Sequence, residues 1–119
     1  MAHIIIVDDE PHLVMIMSKL LEAKQHKITG ISESDAAEQL LKNNDYDLMI
    51  TDVRMNPING MELLKQARRE RPKMPVIMIT AYHSPELSRH AKRQGAYAYF
   101  PKPFELTEVF EAIEEALSA

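Results

Sequence analysis

Two rhythms of apolar residues alternate along the chain. Short runs rich in β-branched and other apolar residues, at positions 3–7, 27–31, 47–51, 75–80 and 96–100, predict five strands. Ile4-Ile5-Ile6-Val7 and Val76-Ile77-Met78-Ile79 have no polar side, the pattern of strands covered on both faces. The run 27–31 is more polar and suits an edge strand. Between these runs the spacing becomes helical. Pro11 opens a first helix whose stripe is Leu13, Val14, Ile16, Met17, Leu20 and Leu21. Ala36, Ala37, Leu40 and Leu41 mark a second, entered through Ser34-Asp35 as its cap. Met61, Leu63, Leu64 and Ala67 mark a third, which Pro72 stops. Ser84-Pro85-Glu86 opens a fourth as a cap followed by a first-turn proline, and Gly95 closes it. Leu106, Val109, Phe110, Ile113 and Leu117 trace a fifth. Five βα units in series predict an α/β fold, a parallel sheet with helices on both faces.

Composition narrows what such a sheet can do. The chain has 119 residues, 45% of them apolar, enough for one packed domain of about 6,500 Å² exposed surface against about 19,700 Å² extended. There is no cysteine, which excludes disulfides, thiolate metal sites and cysteine nucleophiles. Fourteen basic against eighteen acidic residues give a net charge of −4, which disfavours nucleic-acid binding by this chain alone. The apolar runs are too short to span a bilayer, and Met1-Ala2-His3 leads directly into a strand-like segment. Residues 1–119 are expected to form one cytoplasmic domain with no output domain in this chain.

In a parallel sheet every strand's carboxyl end lies on one edge, where ligands bind. Asp8, Asp9 and Glu10 follow strand one, Asp52 follows strand three, Thr80 ends strand four and Pro101-Lys102-Pro103 follows strand five. Clustered carboxylates need a cation to coexist ionised, and Mg²⁺ suits such oxygen ligands. A carboxylate there can attack phosphorus, while a hydroxyl and an ammonium neutralise the transferring group. Taken singly, these residues have plainer roles: Asp8 or Asp9 as a helix cap, Thr80 as an ordinary strand residue, Lys102 as a solvated loop charge. Their joint occurrence at four strand ends points to aspartyl phosphorylation.

The ordered set Val7-Asp8-Asp9-Glu10-Pro11, Asp52-Val53-Arg54-Met55 with Gly60, Ile79-Thr80-Ala81, Gly95-Ala96-Tyr97-Ala98-Tyr99 and Lys102-Pro103-Phe104 resembles the response-regulator receiver domains of two-component signalling. The resemblance covers essentially the whole chain. It implies a flavodoxin-like, doubly wound five-stranded sheet of order 2-1-3-4-5 with five helices. It also implies that Asp52 accepts a phosphoryl group from a sensor histidine kinase. Asp9, Asp52 and the backbone carbonyl of Arg54 would bind Mg²⁺ directly, with Asp8 acting largely through a water. The Ala81 backbone would contact the phosphoryl group, Lys102 would pair with it, and Thr80 and Tyr99 would form the switch pair. The Lys102–Pro103 peptide is expected to be cis. One departure stands out: relatives usually carry proline four residues after the phosphorylated aspartate, where this chain has Asn56 followed by Pro57.

The implied switch moves Thr80 inward and lets Tyr99 turn from an outward to an inward rotamer, altering the surface of helix four, strand five and helix five. That surface would control an output domain or a homodimer. Tyr97 shares a parity with Tyr99 and falls on the same surface, or else packs on the Lys92 and Arg93 stems. Arg54 and Tyr82 would flank the phosphoryl group and shield it from water, or face solvent. Two other functions fit the pattern less well. A free-standing phosphatase of the haloacid-dehalogenase type wants an aspartate two positions after its nucleophile, where Asp8 is followed by Glu10. A pseudo-receiver that only binds partners would not need the acids, Thr80 and Lys102 together. No Gly-rich phosphate loop follows any strand. The histidines His3, His12, His26, His83 and His90 lack ligand spacing and are expected at the surface. The eight methionines are expected mainly in the core.

Overall fold

A computed structural model describes residues 2–119. The elements follow in strict alternation: β1 His3–Val7, α1 Pro11–Glu22, β2 Lys27–Ile31, α2 Ser34–Asn43, β3 Leu48–Asp52, α3 Gly60–Glu70, β4 Val76–Thr80, α4 Pro85–Arg93, β5 Ala98–Pro101 and α5 Leu106–Ser118. All strand pairs are parallel, in the order β2-β1-β3-β4-β5. The fold is therefore the flavodoxin-like arrangement the sequence implied. The domain exposes 6504 Å².

The sheet divides the core in two. Ile4, Ile6, Leu48, Ile50, Ile77 and Ile79 point to the face covered by α1 and α5. Ile5, Val7, Met49 and Met78 point to the face covered by α2, α3 and α4. This alternation is why the central strands are apolar throughout. Ile4, Ile5 and Ile6 are wholly buried, each side chain contributing about 1.5–3 kcal/mol.

Register then decides where polar residues meet. Val7 lies beside Thr51, Asp52 beside Ile79, and Thr80 beside Pro101. The carboxyl ends of β1, β3, β4 and β5 thus finish level, and Asp8, Asp52, Thr80 and Lys102 emerge at one edge.

Helix starts follow local chemistry. Pro11 occupies the first turn of α1. Asn59 and Glu62 form a reciprocal capping box on α3, with Asn59 Oδ1 accepting from Glu62 N–H at 3.0 Å. Ser84 Oγ accepts from Leu87 N–H at 3.0 Å ahead of Pro85. Gly95 takes a φ of +104° after α4, a conformation that favours glycine.

Several expectations are corrected. Asp52 is the last residue of β3 instead of following it, β4 begins at Val76, and β5 covers Ala98–Pro101, leaving Ala96 and Tyr97 before it. In α1 only Val14, Met17 and Leu21 are buried; Ile16 and Leu20 of the anticipated stripe are exposed, beside Met15. The Ser34-Asp35 cap is not formed. Glu33 precedes α2, and buried Ser34 instead accepts from the Ile58 N–H at 3.0 Å, tying α2 to the loop after β3. His3 and His26 are not free surface residues. His3 bonds Thr29 Oγ1 at 2.7 Å and packs its ring on Tyr46, while His26 accepts from the Ala2 N–H and pairs with Glu114 at 2.9 Å. Met15 is the exposed exception among the described methionines. The Lys102–Pro103 peptide is cis as expected; Asn56–Pro57 is cis as well, which the sequence did not indicate.

Candidate functional site

Lys102 is the centre of the edge. Its Nζ lies 2.8 Å from Asp8 Oδ2, 2.8 Å from Glu10 Oε1 and 3.1 Å from Asp52 Oδ2. Asp8 is fully buried at the end of β1, and Asp52 nearly so at the end of β3. The Lys102 backbone N–H donates to the Thr80 carbonyl at 2.7 Å, anchoring the lysine to the end of β4. Burial alone would depress the Lys102 ammonium, but the bonds to Asp8, Glu10 and Asp52 outweigh it and hold the group above its usual range. Burial pushes the Asp8 carboxyl up, opposed by its bonds to Lys102 and to the Glu10 N–H.

Asp52 is fixed from its own loop. Val53 N–H donates to Oδ1 at 2.6 Å, which leaves Oδ2 facing Lys102. Its backbone carbonyl accepts from Thr51 Oγ1 at 2.9 Å. Gly60 explains why no side chain stands at the start of α3. A Cβ there would fall 1.9 Å from the Asp52 carbonyl oxygen, and Gly60 N–H donates to the Val53 carbonyl at 2.8 Å. The absence of a side chain lets α3 begin directly against the residue that carries the site.

A cleft of about 840 Å³ opens above these groups, lined by Asp9, Glu10, Asp52, Arg54, Ala81 and Tyr82 among others. Arg54 lays its guanidinium over the Tyr82 ring, 3.9 Å from the centroid, so the two flanking residues contact one another across the cleft. Thr80 is buried, and its hydroxyl accepts from the Tyr82 N–H at 3.0 Å. The Tyr82 carbonyl in turn accepts from the Tyr99 hydroxyl at 3.4 Å. One residue thus links Thr80 to Tyr99. Tyr99 is held inward, 9% exposed, and burial raises its hydroxyl above the usual value. Tyr97 precedes β5, is exposed, and donates its hydroxyl to Glu115 of α5 at 2.9 Å.

Asp8, Asp52 and Lys102 are therefore brought together as the sequence predicted, with Thr80 at the same edge. Asp9 and Arg54 line the cleft without joining the Lys102 cluster. Strand-end position alone gives Glu10 no role, yet its carboxylate belongs to the cluster. The signal was its place as the third acid after β1. Asp8, Glu10 and Asp52 each offer an oxygen within 4.8 Å of the others. Three hard donors against one ammonium leave net negative charge, a donor set that fits Mg²⁺. Among the described residues, no helix is long and apolar enough to cross a membrane.

The response regulator receiver domain family matches residues 4–114. The chain is 30% identical over 116 residues to the transcriptional regulatory protein GlrR of Escherichia coli K12, covering 98% of this chain and 26% of that protein. It spans about a quarter of the length of the curated relatives it matches. A CheY-like receiver domain protein from Methanospirillum hungatei superposes with a TM-score of 0.94 at 30% identity, covering 99% of this chain and 94% of the other. The beryllofluoride-activated NtrC4 receiver domain dimer superposes at 0.93 with 25% identity, covering 99% and 98%.

Proposed function

Because the chain belongs to the response regulator receiver family, we propose that residues 1–119 form one phosphorylation-controlled switch in which Asp52 accepts a phosphoryl group from a sensor histidine kinase. The supporting observation is the convergence of Lys102 on Asp8, Glu10 and Asp52 at the floor of an open cleft. An Asp52 carboxylate oxygen attacks phosphorus, a new O–P bond forms, and the P–N bond to the donor histidine breaks with the electron pair leaving on the imidazole. Val53 N–H and Lys102 orient the attacking carboxylate before the donor arrives. Thr80 accepts from Tyr82 and retains its own proton, which it donates to a phosphoryl oxygen. The Ala81 N–H and Lys102 supply further donors to that oxygen set. Asp8, Asp9, Asp52 and the Arg54 carbonyl would hold Mg²⁺, whose charge offsets that of the phosphoryl oxygens. Water attacking the same phosphorus returns Asp52 to its carboxylate, so the domain turns over only its own phosphoryl group.

The Thr80–Tyr82–Tyr99 chain supports Tyr82 as the link that reports phosphorylation to β5. New bonds at Thr80 bias the inward Tyr99 arrangement and with it the α4–β5–α5 surface, where an output domain or a second copy would dock. GlrR is a transcriptional regulator and the NtrC4 receiver forms a dimer. The domain itself works in the cytoplasm and binds neither DNA nor membrane. The test is incubation with Mg²⁺ and acetyl phosphate or phosphoramidate, followed by intact-mass and peptide analysis. One phosphoryl adduct on Asp52, absent from Asp52→Asn, is expected; an adduct that persists in the variant overturns the assignment.

A further inference from the structure

Glu10 belongs to the acidic group that fits a cation, but the phosphotransfer reading gives it no contact with the phosphoryl group. A lysine ammonium has three donors, and here all three are occupied, by Asp8, Glu10 and Asp52. A phosphoryl oxygen can therefore gain a bond from Lys102 only if one carboxylate gives one up. The three are not equivalent. Asp8 has a fully buried side chain, and Asp52, 8% exposed, stays an ionised carboxylate until the phosphoryl group is transferred, so withdrawing the ammonium from either as the donor arrives leaves a buried charge unpaired. The Glu10 side chain is 61% exposed and is rehydrated as soon as it lets go. Its backbone is held, with the N–H on Asp8 Oδ1 at 2.9 Å and Pro11 next in the chain, so only the side chain needs to move. It also stands on the wall of the cleft through which a donor reaches Asp52.

We propose that Glu10 is a positioning residue that holds the third N–H of Lys102 in the resting protein and surrenders it to the incoming phosphoryl oxygen; this rests on the phosphotransfer reading above. Glu10 thereby acts as a brake. Breaking its bond to Lys102 is part of every phosphorylation event, and removing it lowers that cost.

The experiment compares wild type, Glu10→Gln and Glu10→Asp at saturating Mg²⁺ and acetyl phosphate. Both variants should phosphorylate faster by about 1.4- to 5-fold, the range spanned by an exposed ion pair. Glu10→Asp keeps the charge but shortens the arm, so it separates the hold on Lys102 from simple repulsion of the donor. In metal-free protein, exchange of the Lys102 ammonium protons followed by ¹⁵N NMR should accelerate by about the same factor in both variants. Unchanged or slower phosphorylation in Glu10→Gln, a wild-type rate in Glu10→Asp, or unchanged proton exchange each overturn the role of Glu10. Failure of the wild-type protein to become phosphorylated on Asp52 would instead overturn the phosphotransfer function itself.

Discussion

Gly60→Ala is the most direct probe of how the fold holds Asp52. The added methyl would lie 1.9 Å from the Asp52 carbonyl oxygen, 2.9 Å from its carbonyl carbon and 3.0 Å from the Val53 Cα. All three are backbone atoms, so no side chain can rotate away. To regain ordinary contact, the end of β3 and the start of α3 must separate by about 1 Å or more. Overpacking of this kind costs about 1–3 kcal/mol, offset in part by the better helix propensity of alanine, itself worth up to about 1 kcal/mol. For a chain of this length each kcal/mol lowers Tm by about 4 °C. The functional loss should be larger than the stability loss suggests. For the phosphoryl acceptor proposed above, a displacement of about 1 Å can lose about 100-fold in rate, and the Asp52 carboxylate sits on the residue that must move. The assay pairs urea and thermal unfolding by circular dichroism with phosphorylation by acetyl phosphate. Gly30→Ala is the control. Its Cβ would meet Val14 Cγ1 at 2.6 Å and Ser18 Oγ at 3.0 Å, both side-chain tips on α1 away from the cleft. It should destabilise the domain while leaving the phosphorylation rate at the wild-type value. Gly60→Ala phosphorylating at the wild-type rate would refute the argument that this backbone contact positions Asp52.

Two further outcomes follow from the same geometry. Lys102→Met leaves Asp8 buried without its counter-charge and should destabilise the domain by about 2 kcal/mol, less than a fully buried pair because the cluster opens to solvent at Glu10. Added Mg²⁺ should raise Tm more in this variant than in wild type, and equal gains in thermal melts would contradict the account. The His3 ring is held below its ordinary value of 6.5, first by burial and then by Lys27, with Asp47 opposing. The fold therefore favours the neutral ring. Its contribution is present above pH 6.5 and is lost as pH falls through the lower folded value. The urea midpoint should drop over that interval, and His3→Gln should shrink the drop; an identical pH profile in the variant would rule His3 out as the cause.

The architecture was legible because both central clues are local. A strand such as Ile4-Ile5-Ile6-Val7 declares burial on two faces, and alternation with helical spacing leaves few topologies. Asp8, Asp52, Thr80 and Lys102 were legible because parallel strands end on a common edge. Side-chain reach was not. Glu10 joins Lys102 only through its extra methylene and the turn into α1, neither of which spacing reveals. The α1 stripe misled because Met15, Ile16 and Leu20 are as apolar as Val14 and Met17, and period alone does not say which apolar side meets the sheet. His26–Glu114 and Tyr97–Glu115 join residues far apart in sequence, and Arg54 over Tyr82 depends on two loops meeting. Gly60 carried a motif signal, but the contact that requires it needed coordinates.

The helices are unequally moored. α3 buries Leu63, Leu64 and Ala67 along with Gly60 and Gln66, whereas α4 buries Ala91 alone, with Leu87 only partly covered. Burying a single methyl is worth about 0.8 kcal/mol, comparable to the roughly 1 kcal/mol of one hydrogen bond gained or lost at Thr80. A signal of that size would vanish against α3 but rivals what keeps α4 in place. The segment beside the charges therefore has the fewest buried anchors, which is where the proposed switch needs the fold to give way without being lost.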